Sequence, residues 1–167
     1  STSNSFGLDY DNSIGSLLQS NKFQDNWNDF FIYQRLKPQL DIGNFPIKTH
    51  KLFDILFLEL DNIFSLTKPS LIHGDLWNGN FISTNDQVFL VDPAVYYGNR
   101  EMDIAMTKLF GGFEKEFYES YNYHYPLVKN WQTRLDICNL YPLLVHANLF
   151  GGNYYNQIHS ILKSVTQ

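Results

Sequence analysis

The sequence predicts one α+β domain that is mostly helical and carries a single buried β-ribbon. Apolar residues recur at helical spacing in several long segments, whereas two short apolar runs flank a polar turn. A chain of 167 residues with 44% hydrophobic and 17% aromatic content is large and apolar enough to bury a core. Only the polar residues 1–24 predict loop or short extended structure.

The first predicted helix follows this polar stretch. Trp27, Phe30 and Phe31 are separated by three and four residues, which places them on one helix face. Asp25 is predicted to cap the start of the helix because its carboxylate can accept from free backbone N–H groups. Pro38 is predicted to mark its end, since the residue before a proline disfavours helical geometry.

Five further segments show the same helical spacing. They are residues 49–64 and the stretches REMDIAMTKLF, EKEFYESYN, KNWQTRLDICNLYPLLVHANLF and NYYNQIHSILKSV. Residues 111–112 and 151–152 are glycine pairs that each follow a Leu-Phe at the end of a helical segment, and they predict C-terminal helix caps. Neither pair lies in a phosphate-binding glycine pattern.

The β-ribbon is predicted from two short apolar runs, FI and VFLV, on either side of STNDQ. Pairing Phe81 with Val91 leaves a three-residue turn at residues 85–87. This register places Asn80 directly opposite Asp92, with about 4.5–5.5 Å between their Cβ atoms. The two side chains would then hold one cation between them.

Composition argues against several functional classes. The formal net charge is −5, and no cluster of Lys or Arg is present, which disfavours binding to nucleic acid. The apolar runs are too short to span a bilayer and the first ten residues lack a signal-peptide pattern, so we expect no membrane partner and a cytoplasmic location. The single cysteine, Cys138, excludes an internal disulfide, and its surroundings predict a helix packing position rather than a reactive thiol.

Asp75, Asn80 and Asp92 form the candidate site. Their order, with a hairpin between the second and the third, is the order of catalytic residues in kinases. Phosphoryl transfer needs a divalent cation to neutralise the triphosphate, and Mg²⁺ prefers hard oxygen ligands. Asn80 and Asp92 would supply these ligands, while Asp75 would orient the acceptor hydroxyl and take its proton.

Each of these residues alone also has a structural explanation as a turn cap, a loop hydrogen-bond partner or the start of a turn. Their joint spacing favours catalysis. A zinc hydrolase site built from His73, Asp75 and Asp92 is the alternative chemistry, although no further nitrogen or sulfur ligand lies near them in the sequence.

Three neighbours of the site are expected to support it. His73 is expected to hold the loop by packing and hydrogen bonding rather than to transfer a proton. Trp77 either walls the acceptor pocket or packs beneath the loop. Asp103 is expected to brace the helix that starts near it, or to accept hydrogen bonds from backbone N–H groups of the loop.

The motif HGDLWNGN followed by DPAVYYGNREMDIAMTKLFGGF resembles the fructosamine/ketosamine kinase family, relatives of the aminoglycoside phosphotransferases with a protein-kinase-like fold. The resemblance extends to DNSIGSLLQSN, to residues 27–40 and to LYPLLVHANLFGG, so it covers nearly the whole chain. It implies a fold that is the mostly helical carboxy-terminal lobe of a protein-kinase-like fold, with a short catalytic β-hairpin.

This resemblance also implies an activity, which is ATP-dependent phosphorylation of the 3-hydroxyl of a ketosamine, free or on a protein lysine. The phosphorylated product is unstable, so the activity resembles repair by deglycation. By motif matching, Asp75 corresponds to the catalytic base, and Asn80 and Asp92 to the Mg²⁺ ligands that also hold the nucleotide.

The family's amino-terminal lobe has no counterpart in the sequence. No G-x-G-x-x-G pattern is present, and no lysine lies in a strand pattern before Asp75. We therefore expect residues 1–167 to form the carboxy-terminal lobe alone, with the nucleotide-binding lobe as its missing intramolecular partner. The fragment alone is then expected to be nearly inactive and to expose an apolar surface that drives self-association.

Two other functions stay open at this point: an aminoglycoside or choline-type phosphotransferase, and a non-catalytic kinase-like binding domain. The preferred ketosamine and the oligomeric state are also open. Residues that could contact the acceptor are Trp77, Tyr96, Tyr97, Arg100, His146 and Asn148.

Overall fold

The computed structural model describes residues 3–64 and 67–165, so Ser1 and Thr2 of the predicted N-terminal loop lie outside the described residues. Helices and short strands alternate along these ranges. The helices are α1 (Trp27–Phe30), α2 (Lys37–Ile42), α3 (Ile47–Ile63), α4 (Glu101–Leu109), α5 (Lys115–His124), α6 (Leu135–Phe150) and α7 (Tyr154–Val165). The strands are β1 (Asn12–Ile14), β2 (Leu17–Gln19), β3 (Ser70–Ile72), β4 (Phe81–Ser83), β5 (Val88–Leu90) and β6 (Tyr96–Gly98).

The first helix begins and ends at residues other than those predicted. Asn26, not Asp25, caps it, because the Asn26 Oδ1 accepts from the Asp29 N–H at 2.8 Å. A π-helical segment, Phe31–Leu36, joins α1 to α2, so the helix continues through Pro38. Pro38 is the second residue of α2, directly after the π-helical segment.

The single buried ribbon was a wrong prediction. The described part of the chain contains three two-stranded antiparallel ribbons, which are β1–β2, β3–β6 and β4–β5. The predicted ribbon, β4–β5, is present, but all three residues of β5 are exposed. The buried ribbon is instead β3–β6, in which Tyr96 is fully buried. The apolar residues of a ribbon do not show which other elements cover it, so the sequence alone assigned burial to the wrong ribbon.

The predicted register of β4–β5 was wrong by one residue. Phe81 pairs with Leu90 rather than with Val91, and the turn is closed by the Thr84 N–H donating to the Gln87 carbonyl at 2.8 Å. Both strands are apolar at consecutive positions, so no alternation of polar and apolar residues specifies the register. Asp92 consequently lies one residue beyond the position opposite Asn80.

The core is centred on α6, which packs against α4 and α7. Eleven residues of α6 are buried, and Cys138 is among them with no exposed surface. Gly111 and Gly151 follow α4 and α6 with φ of 72° and 65°, which confirms the predicted glycine ends of these helices. None of the helices in the described ranges is long and apolar enough to cross a bilayer.

Candidate active site

His73 anchors the loop that follows β3. Its side chain is 8% exposed, and both ring nitrogens are engaged. Nδ1 accepts from the Asp75 N–H at 3.3 Å, so the proton is on Nε2, which donates to the Val91 carbonyl at 3.0 Å. His73 therefore has no free lone pair for a metal, which argues against the alternative zinc site.

Asp103, in the first turn of α4, holds the same loop from the other side. Its Oδ2 accepts from the His73 N–H at 2.8 Å and its Oδ1 accepts from the Gly74 N–H at 2.9 Å. Burial raises the pKa of Asp103, and these two hydrogen bonds oppose the rise. Gly74 itself has a φ of 80°, and a Cβ there would lie 2.1 Å from the Ala94 carbonyl oxygen, so only glycine fits where these two backbones meet.

Asn80 is bonded directly to Asp75. Its Nδ2 donates to Asp75 Oδ2 at 2.8 Å and to the Asp75 carbonyl at 2.9 Å. Asn80 is 6% exposed, and this orientation of the amide leaves its Oδ1 as a free acceptor. Burial raises the pKa of Asp75, while the Asn80 hydrogen bond opposes the rise; the negative charge of Asp92 also raises it. A raised carboxyl pKa suits a group that takes a proton near neutral pH.

Asp92 lies at the open end of the β4–β5 ribbon. Its side chain is exposed and its φ is 51°, in the left-handed region that non-glycine residues seldom adopt. The Val91 N–H donates to the Asn80 carbonyl at 3.0 Å, so Asp92 follows the last hydrogen bond of the ribbon. Its negative charge contributes to the raised pKa of Asp75, so the two carboxylates are close enough to interact electrostatically.

The donor set at this site fits magnesium. Asn80 Oδ1 and the Asp92 carboxylate are hard oxygen donors of the kind that Mg²⁺ prefers. Within residues 3–64 and 67–165, no three His, Cys, Asp or Glu side chains are grouped to hold a metal ion.

Trp77 packs on the loop, which is one of its two predicted positions. A Cβ on Gly79 would lie 2.4 Å from the Trp77 ring, so the ring packs closely on the loop, yet 36% of the side chain is exposed. Its ring meets Phe110 edge-on at 6.1 Å, and Phe110 packs on His146 at 4.7 Å. His146 is among the neighbours that lower the pKa of Asp75, so this aromatic cluster lies near the candidate base. The sequence reading had not singled out Phe110.

Three of the residues proposed for acceptor contact serve other purposes. Tyr96 is fully buried, and burial raises its pKa to about 12. Arg100 Nη1 donates to the Tyr125 carbonyl at 2.6 Å, and the guanidinium lies 3.8 Å from the Tyr125 ring centroid. Asn148 donates to the carbonyl and the side chain of Gln39, both at 2.9 Å. Burial thus closes off Tyr96, and the Arg100 and Asn148 side chains already bond other parts of the protein.

Comparisons with known proteins identify the family of this chain. A family model described as "Fructosamine kinase" matches residues 1–167. A Vibrio parahaemolyticus protein named "Probable ketoamine kinase" is 43% identical over 96% of this chain and 56% of its own length. The mouse protein named "Ketosamine-3-kinase" is 32% identical over 97% of this chain and 54% of its own length. The chain thus spans little more than half of each of these relatives.

A solved structure gives the same result for the fold. The crystal structure of a "putative fructosamine-3-kinase" from Thermobifida fusca superposes with a TM-score of 0.89 at 34% sequence identity. The match covers 97% of this chain and 60% of that chain. The mixed helix-and-strand architecture described above is therefore shared with that crystal structure.

Proposed function

Because this chain belongs to the fructosamine kinase family, we propose that the full-length protein is an ATP-dependent kinase that phosphorylates a hydroxyl of a ketosamine. The observation that carries the proposal is the bond between Asn80 Nδ2 and Asp75 Oδ2, at 2.8 Å. One amide thereby orients the candidate base and turns its own oxygen toward the metal side of the site.

In this mechanism Asp75 works through its second oxygen. Oδ2 is occupied by Asn80, whereas Oδ1 receives no hydrogen bond from the described residues, so it can accept the proton of the acceptor hydroxyl. Asn80 Oδ1 and the Asp92 carboxylate would hold Mg²⁺, which when bound neutralises charge on the phosphates. Asp103 keeps the loop in place by accepting from two backbone N–H groups.

We further propose the 3-hydroxyl of a fructosamine or ribulosamine adduct as the acceptor, free or on protein. The name of the mouse relative, "Ketosamine-3-kinase", supports this regiochemistry. The phosphorylated adduct would then break down and release the amine, which makes the activity a deglycation step. Since the reaction consumes ATP, we place it in the cytoplasm.

The chain is proposed to be the carboxy-terminal lobe of that kinase. It covers 60% of the Thermobifida fusca chain, and it carries the candidate base and metal ligands without a glycine-rich loop. A nucleotide-binding lobe would complete the ATP cleft. Because phosphoryl transfer depends on positioning, residues 1–167 alone should have little or no activity.

The test is an ADP-release assay on the full-length protein with ribose-lysine, fructose-lysine and an aminoglycoside as acceptors. We expect turnover with at least one glycated lysine, and loss of Mg²⁺-dependent nucleotide binding in Asp92→Ala. The matched control is Asp86→Ala, an exposed aspartate in the turn of the same ribbon.

Turnover of the aminoglycoside alone would reassign the acceptor class. A protein that binds glycated amines equally well after Asp75→Ala and Asp92→Ala, and never releases ADP, would be a binding domain and not a kinase.

A further inference from the structure

The β1–β2 ribbon contacts the segment that follows Asp92, and we propose that it is a clamp that positions this residue. The clamp consists of two amide side chains, Asn12 and Gln19, and they act through the backbone of residues 94–95. This inference rests on the proposed function to the extent that Asp92 is a metal ligand there.

Two hydrogen bonds join the clamp to this segment. Gln19 Nε2 donates to the Ala94 carbonyl at 3.1 Å, and Asn12 Nδ2 donates to the Val95 carbonyl at 2.8 Å. On its other side, the Ala94 N–H donates to the His73 carbonyl at 2.9 Å. The Ala94 residue is therefore fixed between the candidate catalytic loop and the clamp.

The clamp amides are themselves held in one orientation. Gln19 is 1% exposed; its Nε2 also donates to Asn12 Oδ1 at 2.8 Å, and its Oε1 accepts from the Tyr141 hydroxyl at 2.8 Å. Asn12 Oδ1 accepts a second bond from Asn21 Nδ2 at 3.0 Å. Reversing the Gln19 amide would set its oxygen against the Ala94 carbonyl, and reversing the Asn12 amide would set its oxygen against the Val95 carbonyl. Such unpaired polar groups are costly in a buried site.

Arg35 fastens this ribbon to the first helix. Its guanidinium is fully buried, donating to the Ser20 carbonyl at 2.5 Å and to Asn21 Oδ1 at 2.7 Å. The same group lies 3.8 Å from the ring centroid of Tyr96, two residues after Ala94. The motif DNSIGSLLQSN thus lies under the candidate site rather than at the edge of the fold.

The backbone of Asp92 gives the reason for such a clamp. A left-handed non-glycine residue costs free energy and persists only where the surrounding structure holds it. Asp92 has a φ of 51° and is followed by Pro93 and then by Ala94. Both backbone groups of Ala94, its N–H and its carbonyl, are hydrogen-bonded. Releasing Ala94 would let Asp92 relax and would move its carboxylate away from Asn80 Oδ1. Asn12 and Gln19 are accordingly positioning residues.

The test compares three variants of the full-length protein. Gln19→Leu keeps the approximate size of the side chain and removes its polar atoms. Asn12→Ala removes the bond to the Val95 carbonyl and leaves the Gln19 donor to the Ala94 carbonyl in place, so it is the milder variant. The control is Gln39→Leu in α2, which breaks a similar amide pair between Gln39 and Asn148 of α6.

The first measurement is hydrogen exchange of the peptide spanning residues 91–97 in the nucleotide-free protein. We expect roughly tenfold faster exchange of the Ala94 amide in Gln19→Leu, a smaller increase in Asn12→Ala and none in Gln39→Leu. The second is the Mg²⁺ concentration for half-maximal rate, which should rise about tenfold in Gln19→Leu with the KM for the acceptor unchanged.

Unchanged exchange at Ala94 in Gln19→Leu would overturn the clamp. A lower rate with unchanged Mg²⁺ dependence would overturn it as well, because that result describes a residue that only stabilises the fold. If the wild-type protein transfers no phosphate to any acceptor, the proposed function fails, and the exchange measurement still decides the clamp.

Discussion

Asp103→Asn tests how the loop that carries Asp75 is held in place. The carboxylate accepts from two backbone N–H groups, those of His73 and Gly74. An asparagine has one acceptor oxygen, so one N–H would face the side-chain NH₂ instead. A hydrogen bond to a charged group contributes about 1.5–3 kcal/mol, and a buried unpaired donor costs about 1–3 kcal/mol.

The lost hydrogen bond and the unpaired N–H group are partly the same cost. Part of that cost is offset, because burial disfavours the charged carboxylate, as its raised pKa indicates, and the variant removes this charge. We therefore expect Asp103→Asn to lower the free energy of unfolding by about 2 kcal/mol at pH 7. Urea denaturation of the 167-residue chain measures this loss. Asp54→Asn, at an exposed position of α3, is the matched control and should change stability by less than about 0.5 kcal/mol. Equal stability of the two variants would refute the reasoning.

Further predictions concern Asp75, Cys138 and the exposed β4–β5 ribbon. Asp75→Asn should lower the kinase rate of the full-length protein by about 10²–10⁴-fold. Burial raises the pKa of Asp75 in the folded state, so ionisation of this carboxyl lowers the stability of the wild-type protein as the pH rises. Asp75→Asn should thus be more stable than wild type at pH 7. The difference between their melting temperatures should vanish near pH 3, where the wild-type carboxyl is protonated. Burial raises the pKa of Cys138 well above its usual range, so a thiol reagent should label it only after denaturation. The isolated chain should self-associate through the exposed β4–β5 ribbon. Phe89→Ser should weaken this association by about 2 kcal/mol in sedimentation experiments. Leu58→Ser, at an exposed position of α3, should leave it unchanged.

Each of these three can fail clearly. An active Asp75→Asn variant would remove the candidate base, and equal stability at neutral pH would remove its burial cost. Labelling of Cys138 in the native protein would contradict its packing in α6. A monomeric wild-type chain, or equal effects of the two serine variants, would show that the ribbon does not drive association.

Local spacing in the sequence predicted most helices well, because an apolar face at helical period has few other ways to be buried. The predicted segment at residues 49–64 is α3, Ile47–Ile63. The family resemblance was confirmed, and it rested on motifs that are contiguous in the chain. The end of the first helix was predicted wrongly. The π-helical segment before Pro38 changes the number of residues per turn, and no side-chain pattern in the sequence indicates it.

The register of β4–β5 and its exposure could not be predicted for a different reason. A ribbon is specified by what covers each face, and Ile82 and Phe89 read as core residues although both are exposed. The candidate metal ligands nevertheless lie at the same end of the ribbon, because Asn80 directly precedes β4 and Asp92 follows β5 by two residues.

By itself the sequence determined the chemistry of this protein: which oxygens are present, in what order, and on which side of a short hairpin. Those properties are local, and local properties survive a small error in register. Only the tertiary structure decided what holds these groups in place. Gln19 meets Ala94 from 75 residues away, and Tyr141 meets Gln19 from 122 residues away. Such contacts depend on how distant elements pack, and no spacing along one chain encodes them.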